Sequence, residues 1–423
     1  MPRSFPCVLR AALVVAAAVA LALPSAQAAG AAPAAPASAA GLGSAVGRAF
    51  AGLGRSSVAG YAVVEGIGVV VDRRAGTRQP PASTEKLFTT GAALLTLGPS
   101  YVFPTTVGRT GTGTGTATAP ADDSGTLNGD LVLRGGGDPT LTSADLDRLA
   151  ASVAAAGVRR VTGRVWLDDT LFDGQRGARG WHADYVGSES GPLSALMVDH
   201  NLWRRGADVR ADPAPSNLAL FRADLLRHKV AVAGPSRVGQ PGPVTGVVAT
   251  HTSARLDHIL TDMDRRSDNT YAEMVLKAVG AAGAGSGSTL SGAHVVVTTA
   301  AAMGVTLGRV VDGSGLSTLD AESAQAEVAY LQAMDATPVA QAFRRTLPVS
   351  CSTGTLAGRL CGVASHRVSA KTGSLDHTAN LAGFTSTLSG QRVWFAFLVD
   401  RTSLGPARDA IDRAVATLAT SAP

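Results

Sequence analysis

Apolar residues recur three and four positions apart in several stretches, and each such stretch reads as a helix. In "STEKLFTTGAALLTLG", Leu87, Thr90 or Gly91, and Leu94 fall on one face, and Pro80-Pro81 forbid a helix before it. "LTSADLDRLAASVAAAG" repeats the period, with Ser143 placed to cap its start. "SARLDHILTDMDRRSDNTYAEMVLKAVGAA" predicts two helices broken by a polar turn. Leu256, Ile259, Leu260 and Met263 line the first, and Met274, Val275, Ala278 and Val279 the second. "ARDAIDRAVATLAT" closes the chain with Ile411, Val415 and Leu418 on one face.

Other stretches carry strand patterns. "YAVVEGIGVVVDRRAG" reads as strand material ending in a turn. "TANLAGFTSTL" and "QRVWFAFLVD" flank a Ser-Gly turn and predict a β-hairpin. Between these ends, "GTLNGDLVLRGGGDPTLTSADLDRLAASVAAAGVRRVTGRVWLDD" alternates strand, helix, strand, as a separate α/β unit would. Residues 108–118 are low-complexity and predict a surface loop, and 206–250 are Pro/Gly-rich with short strand candidates. No repeat of 20 to 50 residues is present.

Composition narrows the class. A chain of 423 residues suggests two or three units. With 45% hydrophobic and 16% charged residues it has ample material for a core, and with only 4% aromatics that core must come from Val, Leu, Ala and Ile. The formal charge is +5, or +3 without Arg3 and Arg10. No Lys/Arg run tracks a nucleic-acid backbone, so no nucleic-acid partner is expected. Arg265-Arg266 and Arg344-Arg345 read as solvated helix faces.

Residues 1–28 have the layout of a secretory signal peptide: basic Arg3 and Arg10, the apolar run "AALVVAAAVALAL", then "AQA". The run is shorter than the roughly 20 residues of a comfortable membrane span, although an uncleaved anchor is the alternative. Residues 29–44 read as an Ala/Pro tether. An exported protein is expected, in the cell envelope, periplasm or medium. Cys7 falls in the leader. Cys351 and Cys361, ten positions apart, form a disulfide in an oxidising compartment, or remain two neighbouring thiols.

Candidate chemistry begins with the lysines. Of 37 basic residues only four are Lys: Lys86, Lys229, Lys277 and Lys371. Lys86 lies one helical turn after Ser83, so its amine can reach the hydroxyl. A serine becomes a nucleophile when a base takes its proton, and a lysine is such a base only if its pKa is lowered. Taken alone, the pair reads equally as a capping serine and a solvated lysine. "SAKTGSL" places Lys371 and Thr372 where they can bind a terminal carboxylate, with Gly373 allowing close approach to a strand edge. Lys371 beside Lys86 would also depress the Lys86 pKa. In "RRSDNTY", Ser267 can shuttle a proton to a leaving amine and Asn269 can bind an amide, although both are also ordinary turn residues.

The three together, in this order, form the S-x-x-K, S-D-N and K-T-G set of the penicillin-recognising serine acyltransferases. The chain resembles the D-alanyl-D-alanine carboxypeptidase/endopeptidases among the class C low-molecular-mass penicillin-binding proteins, serine peptidase family S13. "PASTEKLFTTGAALLTLGP", "GDLVLRGGGDPTL", "GPLSALMVDHN", "MDRRSDNTYAEMVLK", "VDGSGLS" and "AKTGSLDHTANLAGF" carry the likeness. The resemblance implies a mixed α/β (α+β) fold: a transpeptidase-like domain, with an antiparallel sheet flanked by helices, interrupted by inserted smaller domains. Its parts would be 45–105 and 251–423, with 106–250 inserted.

It also implies roles. Ser83 would be the nucleophile, Lys86 its base, Ser267 a proton relay and Asn269 a peptide ligand. Lys371 and Thr372 would engage the substrate carboxylate, and the N–H groups of Ser83 and Ser374 would form the oxyanion hole. The substrate would be a peptidoglycan stem peptide, with β-lactams as inhibitors and no cofactor or metal. Asp168 in "WLDDTLF" best matches an Asp that binds a diaminopimelate amine in some members, though it also reads as a strand-end turn residue. Thr318 stands where an Arg commonly follows "DGSGLS", and Asp376 and His377 follow "KTGSL", which puts side-chain specificity in question.

Two rivals share this fold, a β-lactamase and a non-catalytic envelope scaffold. No E-x-E-L-N-like segment for fast deacylation lies between Ser83 and Ser267, and the intact motifs argue against a scaffold. A metal hydrolase lacks its H-E-x-x-H spacing; His251 and His258 share a possible helix face without a matching carboxylate.

Overall fold

The computed structural model describes residues 38–111, 121–202 and 212–423. The expected leader with Cys7, residues 29–37 of the tether and most of the low-complexity loop lie outside the described residues. The tether ends earlier than its composition suggests. Residues Ala39–Arg48 are helical, Ser38 Oγ accepts from the Gly41 N–H (3.2 Å), and Leu42 and Val46 are buried. An apolar face of so few large residues is hidden in an Ala/Gly run.

The central sheet joins the two ends of the chain. Its order is Ser369–Leu375, Thr378–Ser386, Arg392–Val399, Val58–Val64, Gly68–Arg73, and every neighbouring pair is antiparallel. Period-2 alternation sends successive side chains to opposite faces. Along Arg392–Val399, Trp394, Ala396 and Leu398 enter one core, while Val393, Phe395, Phe397 and Val399 enter another. The second core is closed by the helices Ala39–Arg48 and Leu404–Ala419, through Leu42, Val46, Ile411, Val415 and Leu418. The first is closed by Lys86–Thr96, Leu256–Arg266, Asn269–Ala284 and Ala324–Asp335, through Phe88, Leu260, Met274 and Tyr330. Covering both faces explains why this antiparallel sheet reads as near-continuous apolar runs.

The inserted stretch has sheets of its own. One runs Gly246–Thr252, Pro104–Arg109, Leu131–Arg134, Val165–Asp168, Ser236–Val238, antiparallel at its first two pairings and parallel at the others. A small parallel sheet joins Thr126–Leu127, Arg160–Val161 and Ala231–Val232. Two helices, Ser143–Ala155 and Ala214–Arg227, bury Leu146, Leu149, Val153, Leu218, Phe221 and Leu225 in a third core.

Three expectations change here. Thr142, not Ser143, caps the first of these helices: its Oγ1 accepts from the Asp145 N–H while Asp145 accepts from the Thr142 N–H, a capping box. The Ala214–Arg227 helix lies in a stretch read only as loop and short strands. Its prolines, Pro213 and Pro215, stand at the helix start, where proline is compatible with the fold. Arg344 is only partly solvated. It pairs with Asp335 and its guanidinium lies 4.5 Å over the Phe384 ring. Among the described residues no helix is long and apolar enough to cross a membrane.

Candidate active site

Three segments meet at one end of the central sheet. Pro81 starts a tight turn over Ala82–Glu85 that runs directly into the helix Lys86–Thr96. Ser83 sits in that turn, half-buried, and Lys86 is the first residue of the helix proper, wholly buried. Ala82 takes a left-handed conformation (φ 48°), and its carbonyl is closed over by Gly315, where a Cβ would stand 1.8 Å from it. Backbone strain of this kind persists where surrounding structure enforces it.

Lys86 Nζ has three acceptors: Ser83 Oγ at 2.9 Å, Asn269 Oδ1 at 2.8 Å and the Ser314 carbonyl at 2.8 Å. The last is fixed by Asp312, whose carboxylate accepts from the N–H groups of Gly315 and Ser317 and from Trp181 Nε1. Glu273 accepts from the N–H groups of Gly313 and Ser314. Burial lowers the Lys86 amine to about 8, against the pull of Asp312, Glu273, Asp268 and Asp264. Burial and Asp312 push Glu273 up to about 8.

Ser267 ends the helix Leu256–Arg266 in the left-handed region (φ 59°), which turns its hydroxyl toward the site. Asp268 then caps Asn269–Ala284 by accepting from the Tyr271 N–H. Lys371 Nζ donates to Ser267 Oγ at 2.9 Å and to the Thr372 carbonyl at 2.9 Å. Burial first, then repulsion from Lys86, lowers Lys371 to about 7. Burial is the larger cause at both amines, and the repulsion between them is mutual. Lys371 is also fully buried, and its ammonium is hydrogen-bonded to Ser267 and to the Thr372 carbonyl. Thr372 and Ser374, two apart on a strand, present their hydroxyls on one face.

Gly373 has a different reason from the one expected. A Cβ there would lie 2.7 Å from the Pro81 carbonyl and 3.2 Å from the Thr84 N–H, so the glycine lets the strand pack against the turn that holds Ser83. Asn380 clamps the same turn by donating to the carbonyls of Pro80 (2.9 Å) and Pro81 (2.7 Å). Cys351 and Cys361 are joined in a disulfide. Within their loop, Thr355 Oγ1 accepts from Thr372 Oγ1 at 2.8 Å.

A cleft of ≈ 770 Å³ opens over Ser83, Ser267, Asn269 and Ser374. Asp168 is not on it. That side chain is 5% exposed, bound by Arg134 Nε at 2.9 Å and by Thr170, at the end of an inserted-sheet strand. A free carboxylate for a substrate amine is therefore not available there. The cleft's acids are Asp184, Glu189 and Asp376, with His182, His377 and Thr318 beside them. Burial, then Asp376, Glu189 and Asp184, hold the Tyr185 phenol above its ordinary value. Sequence reading missed Asp184 and Glu189 because "GWHADYVGSES" has no helical or strand period. The available signal was a tryptophan and several acids in an aperiodic stretch just before "GPLSALMVDHN".

This arrangement suits acyl transfer. A hydroxyl faces a buried amine of lowered pKa, a second hydroxyl faces a second buried amine, and a strand edge with paired hydroxyls borders both. Known proteins resemble the chain. A D-alanyl-D-alanine carboxypeptidase from an Actinomadura species is 31% identical over 81% of this chain and 77% of its own. Penicillin binding protein 4 from Haemophilus influenzae superposes with a TM-score of 0.77 at 21% identity, over 89% of this chain and 99% of that one. The same protein complexed with a β-lactam gives 0.72 at 21% identity, over 86% and 96%. The family profile of the D-Ala-D-Ala carboxypeptidase 3 (S13) family matches residues 54–211 and 207–421, and the chain belongs to that family of serine carboxypeptidases.

Proposed function

We propose that the protein is an exported enzyme that cleaves the terminal D-Ala from peptidoglycan stem peptides through an acyl-enzyme on Ser83. The observation that carries this reading is the doubled contact of Lys86 Nζ with Ser83 Oγ and Lys371 Nζ with Ser267 Oγ, each at 2.9 Å.

In the first step Ser83 Oγ attacks the carbonyl carbon of the penultimate D-Ala, and neutral Lys86 takes the hydroxyl proton. The N–H groups of Ser83 and Ser374 receive the developing oxyanion. The C–N bond breaks as Ser267 passes a proton to the leaving nitrogen, and Lys371 orients Ser267 for that transfer. In the second step water attacks the ester, a proton returns to Ser83 Oγ and the shortened peptide leaves. Asn269 holds the substrate amide and also bridges Lys86 to the Glu189 carbonyl, to which its Nδ2 donates at 3.2 Å. A cross-linked neighbouring stem in place of D-Ala makes the same two steps an endopeptidase reaction. A β-lactam would acylate the same serine. The acids Asp184, Glu189 and Asp376 favour a substrate side chain that carries an ammonium.

The test is release of D-Ala from an acyl-D-Ala-D-Ala peptide, with Ser83→Ala as control, and intact-mass detection of a penicilloyl adduct. Release by the parent and none by the variant is expected. Equal release by both, or rapid sustained turnover of nitrocefin, would overturn the reading.

A further inference from the structure

The strand side of the site holds a cation that these steps leave unused. We propose that Arg408 is a specificity-determining residue that binds the free C-terminal carboxylate of the substrate together with Thr372 and Ser374. The inference rests on the acyl-enzyme reading above and adds a residue to it.

A second opening of ≈ 350 Å³ is lined by Ser83, Ser267, Thr372, Ser374, Arg359 and Arg408. Only one of the two guanidinium groups is available. Arg359 is committed to Asp412 by two parallel hydrogen bonds, Nε at 3.1 Å and Nη2 at 2.7 Å. Arg408 has no carboxylate partner among the described residues, and its one hydrogen bond is from Nη2 to Ser374 Oγ at 3.0 Å. An arginine beside a reactive serine, with its charge uncompensated, is a ready anion ligand.

The arrangement is anchored from behind. Arg408 projects from the helix Leu404–Ala419, whose neighbouring Ala407 and Ile411 are buried in the second core. Because Arg408 donates to Ser374 Oγ, the Ser374 hydroxyl proton is left for another acceptor. A carboxylate in the opening can then accept from the guanidinium with one oxygen and from the Ser374 hydroxyl with the other, and from the Thr372 hydroxyl once that proton leaves Thr355 Oγ1. The hydroxyls alone would take a carboxamide or an ester almost as well. Lys371, the nearest other cation on this strand, is enclosed and spent on Ser267 and the Thr372 carbonyl. Discrimination for negative charge at the substrate terminus therefore falls to Arg408.

The experiment compares Ser83 acylation by benzylpenicillin, which carries a carboxylate, with acylation by its methyl ester, in the parent, Arg408→Gln and Arg408→Lys, followed by intact mass. Removing a charged hydrogen-bond donor should slow acylation by benzylpenicillin about 10- to 100-fold in Arg408→Gln. The methyl ester should change by less than about 3-fold, and Arg408→Lys should recover part of the loss, since it keeps charge without the planar fork. Unchanged benzylpenicillin acylation in Arg408→Gln, or an equal loss with both compounds, would overturn the assignment while leaving Ser83 in place. Failure of the parent itself to be acylated would remove the Ser83 reading and this one with it.

Discussion

Gly373 and Pro81 meet so closely that a Cβ on the glycine would stand 2.7 Å from the proline carbonyl oxygen. This is where the edge strand of the sheet rests on the turn that carries Ser83, so the spacing between strand hydroxyls and nucleophile is set by one missing methyl group. Gly373→Ala must push the turn or the strand by several tenths of an ångström, and Asn380 holds the turn on its other side. Overpacking of this kind costs about 1–3 kcal/mol. Acylation of Ser83 by benzylpenicillin should fall at least about 10-fold, by the sensitivity of catalysis to misplacement near 1 Å. Urea unfolding and acylation rates check both parts. A variant that is destabilised but acylates normally would show that the strand yields and the turn does not.

The enclosure of the two lysines predicts a pH profile. Lys86 is lowered to about 8 and Lys371 to about 7 by burial, with Lys86 adding to the fall at Lys371. A base must be neutral to act, so the acylation rate should rise between pH 6 and 9, with apparent values that belong to the pair. Stability moves the same way. Each amine binds its proton less tightly folded than unfolded, so the unfolded state holds more protons above pH 7. Stability then increases with pH up to the ordinary lysine range and is lowest where both amines are charged. Lys86→Arg cannot lose its proton, and its acylation should drop by at least about 100-fold with no rising limb. A Lys86→Arg variant that keeps the parent profile would remove Lys86 as the base.

Ser267 carries its hydroxyl on a left-handed backbone (φ 59°), which an L-residue adopts at a cost of about 1–2 kcal/mol relative to glycine. Ser267→Gly and Ser267→Ala both delete the hydroxyl that Lys371 holds, and both should lose most activity. They should differ in stability: the glycine variant should be the more stable by about 1 kcal/mol, read as a higher urea midpoint at the same slope. Equal midpoints would mean that the helix end relaxes once the lysine contact is gone.

These residues also show what the sequence could carry. Ser83, Lys86, Ser267, Asn269 and Thr372 were legible because their motifs put reactive side chains at fixed short spacing, and because lysine is so rare in this chain. The sheet was legible where apolar runs ended in a turn, as at Ser386 and Arg392. What stayed hidden depends on distant packing. Nothing near Lys371 says that its amine is enclosed and turned to Ser267, 104 positions away. Nor does "KTG" reveal that its glycine faces Pro81. The Ala39–Arg48 helix buries too few large side chains to show a period, and Asp184 sits in an aperiodic stretch whose place is set by Trp181 holding Asp312.

That last contact separates two aspartates with opposite expectations. Asp168 is enclosed, bound to Arg134 and Thr170 in the inserted sheet, while Asp184 lines the cleft with Glu189 and Asp376. Asp184→Asn should raise KM for a stem peptide with a free side-chain amine, by about 5- to 10-fold for the loss of one partly solvated charge contact. It should leave the same peptide with an acetylated amine nearly unchanged, since no ammonium is left to attract. Asp168→Asn should do neither, and its effect should appear as a lower unfolding midpoint, because a buried carboxamide replaces the acceptor that Arg134 and the Thr170 hydroxyl share. If Asp168→Asn alone altered the preference for the free amine, the inserted sheet and not the Trp181 segment would govern side-chain recognition.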